Sequence, residues 1–375
     1  MIGRFAVEVV SSIDAIPAIA YDALAARCAA PAYYDRRFLR AAEDSPLLPC
    51  ANTRYIVARD GDDLLGFLPV YQQAIGVADP FGLLAGTTSR AFSPTDTGLF
   101  SHVMHCSDTR ILADPPSIDL YRALFERLAS LARDDGIAHF AILNVADPVL
   151  IEAAREIGLE ANAMVDRYTI DLSPTQDFEM FMARRMPKDG VYEMRRQRRK
   201  FEASDGRIII EEPPLPDLED VGRLCHETTA RRGTPAYLPA ADLARFIATC
   251  GDIVRLISIY SGERRLSVGI LLVEKDVVHF WLAGMTYAPG MFSPYVMTLD
   301  ALFRFAFAHG CRRIECGRLN ARIKQRFGFS PVPLYSIINP EPLLREQGSA
   351  GTANIDFPAP DKASLVPAAR AQELH

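Results

Sequence analysis

Glu315-Cys316-Gly317 closes an apolar, strand-like stretch and is followed by Arg318, Arg322, Lys324 and Arg326, and then by Phe327-Gly328. A lysine placed like Lys324 can neutralise a phosphate or hold the negative charge that develops on a carbonyl under attack. Glu315 can take or relay a proton, as can Tyr335 or Tyr287. The plainer account is a solvated basic loop, and charge alone favours it.

A second candidate lies just upstream. The uncharged loop from Thr286 through Tyr287, Gly290 and Phe292 leads to Ser293, a good N-cap, and to Pro294, which suits a first helical turn. Free N–H groups and the helix dipole at such a point attract anions, although most strand-to-helix connections look alike. A third is a basic helix. Between Arg184 and Lys200 stand eight cations, Arg195, Arg196 and Arg199 among them, against Asp189 and Glu193, in a chain whose net charge is −6. That asymmetry points to an anionic partner (phosphate, a nucleotide-linked substrate or RNA), with a solvated helix face as the alternative. A fourth is Ser93-Pro94-Thr95-Asp96-Thr97-Gly98, where Asp96 can serve as acid, base or amine-orienting carboxylate, or can cap a turn.

Other chemistries lack their residues. The sequence contains no GxxxxGK[ST], GxGxxG or GxSxG motif. His102, His105 and Cys106 lack a fourth ligand at metal-binding spacing. Cys225 and His226 are sequence neighbours and face different sides of a helix. The seven cysteines are odd in number and form no CxxC pair, which fits a reducing, cytoplasmic setting. Glu8 and Asp14 interrupt any secretory signal, and no apolar run approaches the ~18 residues of a membrane span.

These residues need a scaffold, and the composition supports one. The 375 residues are 49% hydrophobic and 23% charged, enough to build sizeable cores. At about 150 residues per domain the length suggests two units. The spacing predicts strands at 4–10, 54–59, 64–71, 138–145 and 163–172, and helices at 13–28, 35–43, 117–134 and 148–157. Asp60-Gly61 marks a hairpin turn, Pro69 marks a bulge or an edge, and residues 72–115 read as loop. The second half predicts helices at 175–185 and 187–203, a strand at 207–211, helices at 217–232 and 240–249, strands at 253–260, 266–274 and 277–285, a helix at 294–309, and strands at 313–316 and 332–338. Residues 345–375 read as a loose tail. Each half repeats helices, a meander, a helix and strands, so a duplicated α/β unit divided near 165–175 is expected.

Taken in order, the basic R-x-x-R-R helix, the antiparallel meander, Phe292-Ser293-Pro294, Glu315-Cys316-Gly317 and Lys324-x-x-Phe327-Gly328 resemble the FemAB-like acyltransferases. These are tandem-GNAT proteins related to peptidoglycan-bridge aminoacyltransferases and to cellulose-biosynthesis-type acetyltransferases. Gly66-Phe67-Leu68-Pro69-Val70-Tyr71 and the later Asp96 fit the first half, so the resemblance runs over roughly residues 5–340. It implies an α/β fold of two GNAT-like domains, mixed sheets flanked by helices, at 1–168 and 169–344, with 345–375 a flexible tail. It implies transfer of an acyl or aminoacyl group from acyl-CoA or aminoacyl-tRNA to an amine of a cytoplasmic sugar, lipid or peptide precursor, with no metal or redox cofactor. Lys324 would sit at the donor carbonyl or phosphate and Asp96 at the acceptor amine, with Glu315 as a proton relay. Tyr287, Gly290, Phe292, Ser293, Phe327 and Gly328 would line the donor, and Arg195, Arg196 and Arg199 would border an anionic group. The sequence departs from the family in lacking the Gly-rich pyrophosphate signature of simple GNAT enzymes and the coiled-coil arm of some tRNA-using members. The alternatives are a catalytically silent scaffold with this fold, or an RNA-binding protein using helix 184–200.

Overall fold

The structure, a computed structural model, describes residues 5–88, 90–103, 106–286 and 291–343. The tail expected at 345–375 lies outside the described residues, as do Tyr287, Gly290 and His105.

The first half runs β1 (Ala6–Val10), α1 (Ala18–Arg27), α2 (Arg36–Asp44), β2 (Asn52–Asp60), β3 (Asp63–Ala74), α3 (Ile75–Ala78), α4 (Leu83–Thr88), β4 (Thr97–Ser101), β5 (Leu112–Ala113), α5 (Ile118–Asp134), β6 (His139–Val145), α6 (Pro148–Ile157) and β7 (Glu160–Asp171). The second runs α7 (Phe178–Arg184), α8 (Lys188–Glu202), β8 (Gly206–Glu211), α9 (Leu218–Arg231), α10 (Ala240–Cys250), β9 (Val254–Ser261), β10 (Arg264–Val273), β11 (Val277–Met285), α11 (Pro294–Ala308), β12 (Arg313–Glu315), α12 (Ala321–Arg326) and β13 (Ser330–Ile338).

Local chemistry sets most of these boundaries. Ser117 and Asp147 cap α5 and α6 by accepting from Leu120 N and Val149 N, and Ser293 caps α11 in front of Pro294. Pro17 breaks the helix expected at 13–28 into a short 3-10 turn and α1. Pro69 is neither at an edge strand nor at a bulge. It lies between the stretch of β3 that pairs with β5 (Gly66–Phe67) and the stretch that pairs with β4 (Tyr71–Ala74). A residue without an N–H is tolerated where that side of the ladder is open. The region expected as loop at 72–115 holds α3, α4, β4 and β5, each too short for periodicity to show.

All the strands belong to one mixed sheet, ordered β1-β2-β3-β4-β6-β13-β7-β12-β11-β10-β9-β8. Each half contributes a parallel pair joined by a crossover helix: β4 with β6 through α5, and β11 with β12 through α11. The closing strands are exchanged. β7, the last strand of the first half, pairs with β12 of the second, and β13, the last strand of the second, pairs with β6 of the first. β7 and β13 lie antiparallel from Thr169↔Ser330 to Glu160↔Ile338. In place of two separate sheets there is one, and the expected division at 168/169 falls inside β7.

The halves also share apolar core. Phe38 on α2 meets Phe246 on α10 and Trp281 on β11, edge to face, with centroids 4.9 and 5.3 Å apart. Separate cores lie around α11 in the second half and around α5 and α6 in the first. Among the described residues no helix is long and apolar enough to cross a membrane.

Candidate active site

The parallel pair β11 and β12 is in register only from Val277↔Arg313 to His279↔Glu315. Beyond that point β11 continues to Met285, while the other chain turns away through Gly317 and Asn320, both at positive φ, into α12. The strands therefore part and leave an opening. Helix α9 covers the far end of β11 closely. A Cβ on Gly284 would meet Cys225 N at 2.6 Å, and Thr228 Oγ1 accepts from Met285 N at 2.9 Å.

Lys324 lies beneath this opening. It is 3% exposed, so the reading of a solvated basic loop fails for it. Nζ donates to Gly317 O at 3.0 Å and stands 5.4 Å from the ring centroid of Tyr168. Gly317 O also accepts from Tyr168 N, which ties the turn to β7. Among the described residues no carboxylate lies within ion-pair distance of Lys324. Burial pushes its pKa down, Arg232 and Arg318 push the same way, and the Cys316 thiol opposes them. Burial in turn raises Cys316 to about 11, against the pull of Lys324.

The rest of the Lys-x-x-Phe-Gly motif is structural. Phe327 is fully buried in the core beside α11. Phe327 N and Phe329 N both donate to Lys324 O, and Gly328, at φ +94°, makes the left-handed turn that ends α12 and starts β13. Sequence reasoning missed α12, whose six residues are too few for a periodic signal.

Three further side chains converge here. Tyr295, in the first turn of α11, is buried beside Cys316 and close to Asn320, and burial raises its phenol pKa. Asn320 Oδ1 accepts from Arg232 Nη2 at 3.3 Å. The opening thus gathers one cation that is buried and one that is exposed, a phenol and an amide, from α9, α11 and the turn after β12. None of Tyr295, Asn320 and Arg232 belongs to a motif, and only the positive-φ turn at Asn320 had a local signal. A cavity of about 580 Å³ lies at the far end of β11, where Asp217, Asp220 and Glu227 face Arg223 and Arg265 beside Met285 and Thr286.

The other expected site residues lie elsewhere. Glu315 precedes Cys316, and the pleat sends the two side chains to opposite faces. Its carboxylate pairs with Arg313 at 3.0 Å and Arg167 at 3.8 Å, and Arg167 pairs with Asp108 at 3.2 Å in a buried network between the halves. The structure thus ties Glu315 into this network and does not bring it together with Lys324. Asp96 is exposed, in a turn where its N–H donates to Ser93 O at 3.0 Å and its carbonyl accepts from Ile75 N at 2.8 Å. The strands β4, β6, β13 and β7 stand between it and the Lys324 side of the sheet, so the structure does not bring the two together. Phe292 packs edge to face on Phe201. Ser293 N donates to Gln197 Oε1 at 2.7 Å, which spends one N–H of the expected anion site on α8. On α8, Arg196 pairs with Glu193 at 2.7 Å, while Arg195 and Arg199 are exposed.

The matching opening in the first half is filled. Beyond Ser101↔Ile142 the pair β4/β6 parts, and Arg318 of the second half reaches in to donate to Asn144 Oδ1 at 2.9 Å. His102 beside it is buried, lies 3.0 Å from Gln73 Oε1 and is lowered to about 4 by burial. His226 Nδ1 lies 3.2 Å from Tyr237 O while Cys225 packs in the core, so no Cys–His pair forms. Among the described residues no cluster of His, Cys, Asp and Glu could hold a metal.

A meander, a crossover helix, a parallel pair that parts at the helix N-terminus, and a second copy of the same plan describe one fold. Residues 188–325 match the acetyltransferase (GNAT) domain family. The chain has a tandem GNAT fold. Solved structures with this architecture include a tandem GNAT protein from the clavulanic acid biosynthesis pathway, at 11% identity and TM-score 0.53 over 90% of this chain and 99% of that one. The C-terminal domain of a putative lysylphosphatidylglycerol synthetase from Agrobacterium fabrum aligns at 11% identity and TM-score 0.54, over 85% and 90%. FemX aligns at 8% identity and TM-score 0.51, over 76% and 87%. A search of curated proteins finds no match. The expected architecture of two GNAT-like units is thus borne out, with the GNAT match falling on the half that holds Lys324.

Proposed function

We propose that this tandem GNAT protein is an N-acyltransferase whose reacting centre is the β11/β12 opening of its second half. The observation that carries this reading is Lys324: a buried amine without a carboxylate partner, at the point where the parallel strands part and next to the first turn of α11. A buried ammonium is tolerated where it serves developing negative charge, and a buried neutral amine where it serves proton transfer. Acyl transfer to an amine asks for both kinds of help and little else.

The acyl group arrives activated, as a thioester of CoA or an ester of tRNA. The attacking nitrogen forms a bond to the carbonyl carbon and the π electrons move onto oxygen. Collapse of the tetrahedral intermediate then breaks the bond to the thiolate or the ribose oxygen, and the proton lost by the nitrogen ends on that leaving group as thiol or hydroxyl. Lys324 Nζ supplies a hydrogen bond to the oxyanion in a site of low dielectric, which is where such a bond counts most. Tyr295 stands at the N-terminal turn of α11, in reach of the leaving group, and Arg232 lies at the solvent side, suited to a donor phosphate. The polar cavity at the far end of β11 is our candidate for the acceptor, since its alternating acids and arginines fit a small polar amine.

The first half serves as support in this reading, because Arg318 occupies its opening. The test is incubation with panels of acyl-CoAs and aminoacyl-tRNAs and mixed amine acceptors, read by mass spectrometry. Acylated amine that disappears with Lys324→Ala supports the proposal. Donor binding without product from any pair assigns the fold to a scaffold role instead.

A further inference from the structure

Arg318 lies in the turn after β12, and its side chain leaves the second half for the first. Nη1 donates to Asn144 Oδ1 on β6 at 2.9 Å, the one hydrogen bond of this guanidinium among the described residues. The titratable groups around it come from both halves: Asp79 after α3, His102 and Cys106 after β4, and Tyr237 before α10. None of them neutralises it. Asp79 spends its carboxylate on Leu83 N and Leu84 N, at 2.9 and 2.7 Å. Tyr237 donates its hydroxyl to Val77 O at 2.7 Å. Burial holds the Cys106 thiol up at about 12 and the His102 ring down at about 4, so both are uncharged at neutral pH.

Two further cations share this corner. Lys324 Nζ reaches back to the carbonyl of Gly317, the residue before Arg318, and Arg232 Nη2 reaches Asn320 Oδ1, two residues after it. Arg318 and Arg232 both lie close enough to press the Lys324 pKa down. Among the described residues no carboxylate stands within ion-pair distance of any of the three. Buried arginines elsewhere in the fold are treated differently. Arg167 faces Asp108 and Glu315, and Arg265 faces Glu211, Asp217 and Asp220. Like charges gathered out of water without a counter-ion are costly, and a bound anion relieves that cost.

We propose that Arg318 holds a phosphate group carried by a substrate, at the junction of the two halves, with Arg232 and Lys324 adding to the positive field. Asn144 fixes one corner of the guanidinium and leaves its other N–H groups for the anion. A phosphate monoester brings three acceptor oxygens and nearly two charges, which suits a corner of three cations better than a single carboxylate does. The inference rests on the acyltransferase reading only in calling the carrier a substrate. The phosphate belongs either to the donor or to a phosphorylated amine acceptor, and the chemistry of the site is the same for both.

The experiment is titration calorimetry of the full chain with pyrophosphate, with CoA and with acetate, over a salt series. Pyrophosphate is expected to bind, more weakly as salt rises, and acetate to bind far less. Arg318→Gln should weaken pyrophosphate by about tenfold or more, as for loss of a charge-assisted hydrogen bond. Arg232→Gln should weaken it by a smaller factor. Circular dichroism checks that the variants fold. If Arg318→Gln does not fold, Arg318→Lys, which keeps the charge and loses the fork, and the exposed Arg232→Gln carry the same test. CoA that displaces pyrophosphate assigns the phosphate to the donor, and pyrophosphate bound alongside saturating CoA assigns it to the acceptor. The proposal falls if the wild type binds neither pyrophosphate nor CoA at low salt, or if acetate binds as tightly as pyrophosphate. It falls equally if folded Arg318→Gln binds as before, or if Arg195→Gln/Arg199→Gln abolishes binding, which would place the anion on α8. Every readout is binding, so an absence of turnover leaves this site standing, and a failure here leaves the Lys324→Ala test of acyl transfer intact.

Discussion

Lys324 donates its Nζ hydrogen to the Gly317 carbonyl at 3.0 Å, across the turn that separates β12 from α12. The same carbonyl accepts from Tyr168 on β7, the strand exchanged from the other half. The lysine is thereby anchored to a residue that reaches it only through the strand exchange, and the exchange becomes part of the site.

If Lys324 stabilises the oxyanion, Lys324→Ala lowers kcat/KM by about 10²-fold or more, which is ~3 kcal/mol. Steady-state kinetics with any productive donor and acceptor pair measure it. A rise in donor KM with kcat unchanged would move the lysine to phosphate binding, and wild-type behaviour in both parameters would remove it from the site.

Burial depresses the Lys324 pKa below its ordinary 10.5. Between the folded and unfolded values the unfolded chain binds the extra proton, so this lysine's contribution to stability rises with pH across that window. Below the folded value its destabilising effect is fully present, and it is relieved as pH climbs toward 10.5. Lys324→Met should therefore raise Tm most at neutral pH, with the gap to wild type narrowing on the alkaline side. Thermal melts across pH test this, and a gap that widens with rising pH would contradict the depressed pKa.

Asp96→Asn should leave kcat/KM within about twofold, and stability within ~0.5 kcal/mol, as for ordinary surface substitutions. The turn it occupies is closed by backbone hydrogen bonds that the substitution keeps. A tenfold fall in turnover with unchanged Tm would restore the acceptor role that the family resemblance implies.

Gly190→Ala tests how firmly α8 is seated on α12. The added Cβ would fall 2.1 Å from the Arg326 carbonyl oxygen, and the nearest atoms are backbone, which cannot swing aside. Overpacking of this kind costs about 1–3 kcal/mol. Chemical denaturation should show a lower midpoint, and an unchanged midpoint would mean that the two helices slide apart freely.

Much of this molecule is legible in its residues. The meander at 254–285, the capped helix beginning at Ser293-Pro294, α5 behind Ser117 and α6 between Asp147 and Gly158 follow from alternation, helical spacing and capping, all of which act within a few residues. The motif around Lys324 was legible too, along with the charge asymmetry of α8. Four matters were decided only in three dimensions. Alternation marks β7 and β13 as strands but carries no record of their partners, since pairing is set by long-range packing, and so their exchange into one sheet was hidden. Charge cannot tell a solvated lysine from a buried one, and Lys324 is buried because the chain folds back through Phe327 and Gly328. Which arginines of α8 stay free depends on Asp300 and Glu179, brought to Arg198 by packing. Asp96 and Glu315 could be assigned to one site from sequence because a resemblance gives residue types in order; the sheet sets them far from Lys324 or on its opposite face, because position along a chain does not fix position across a sheet.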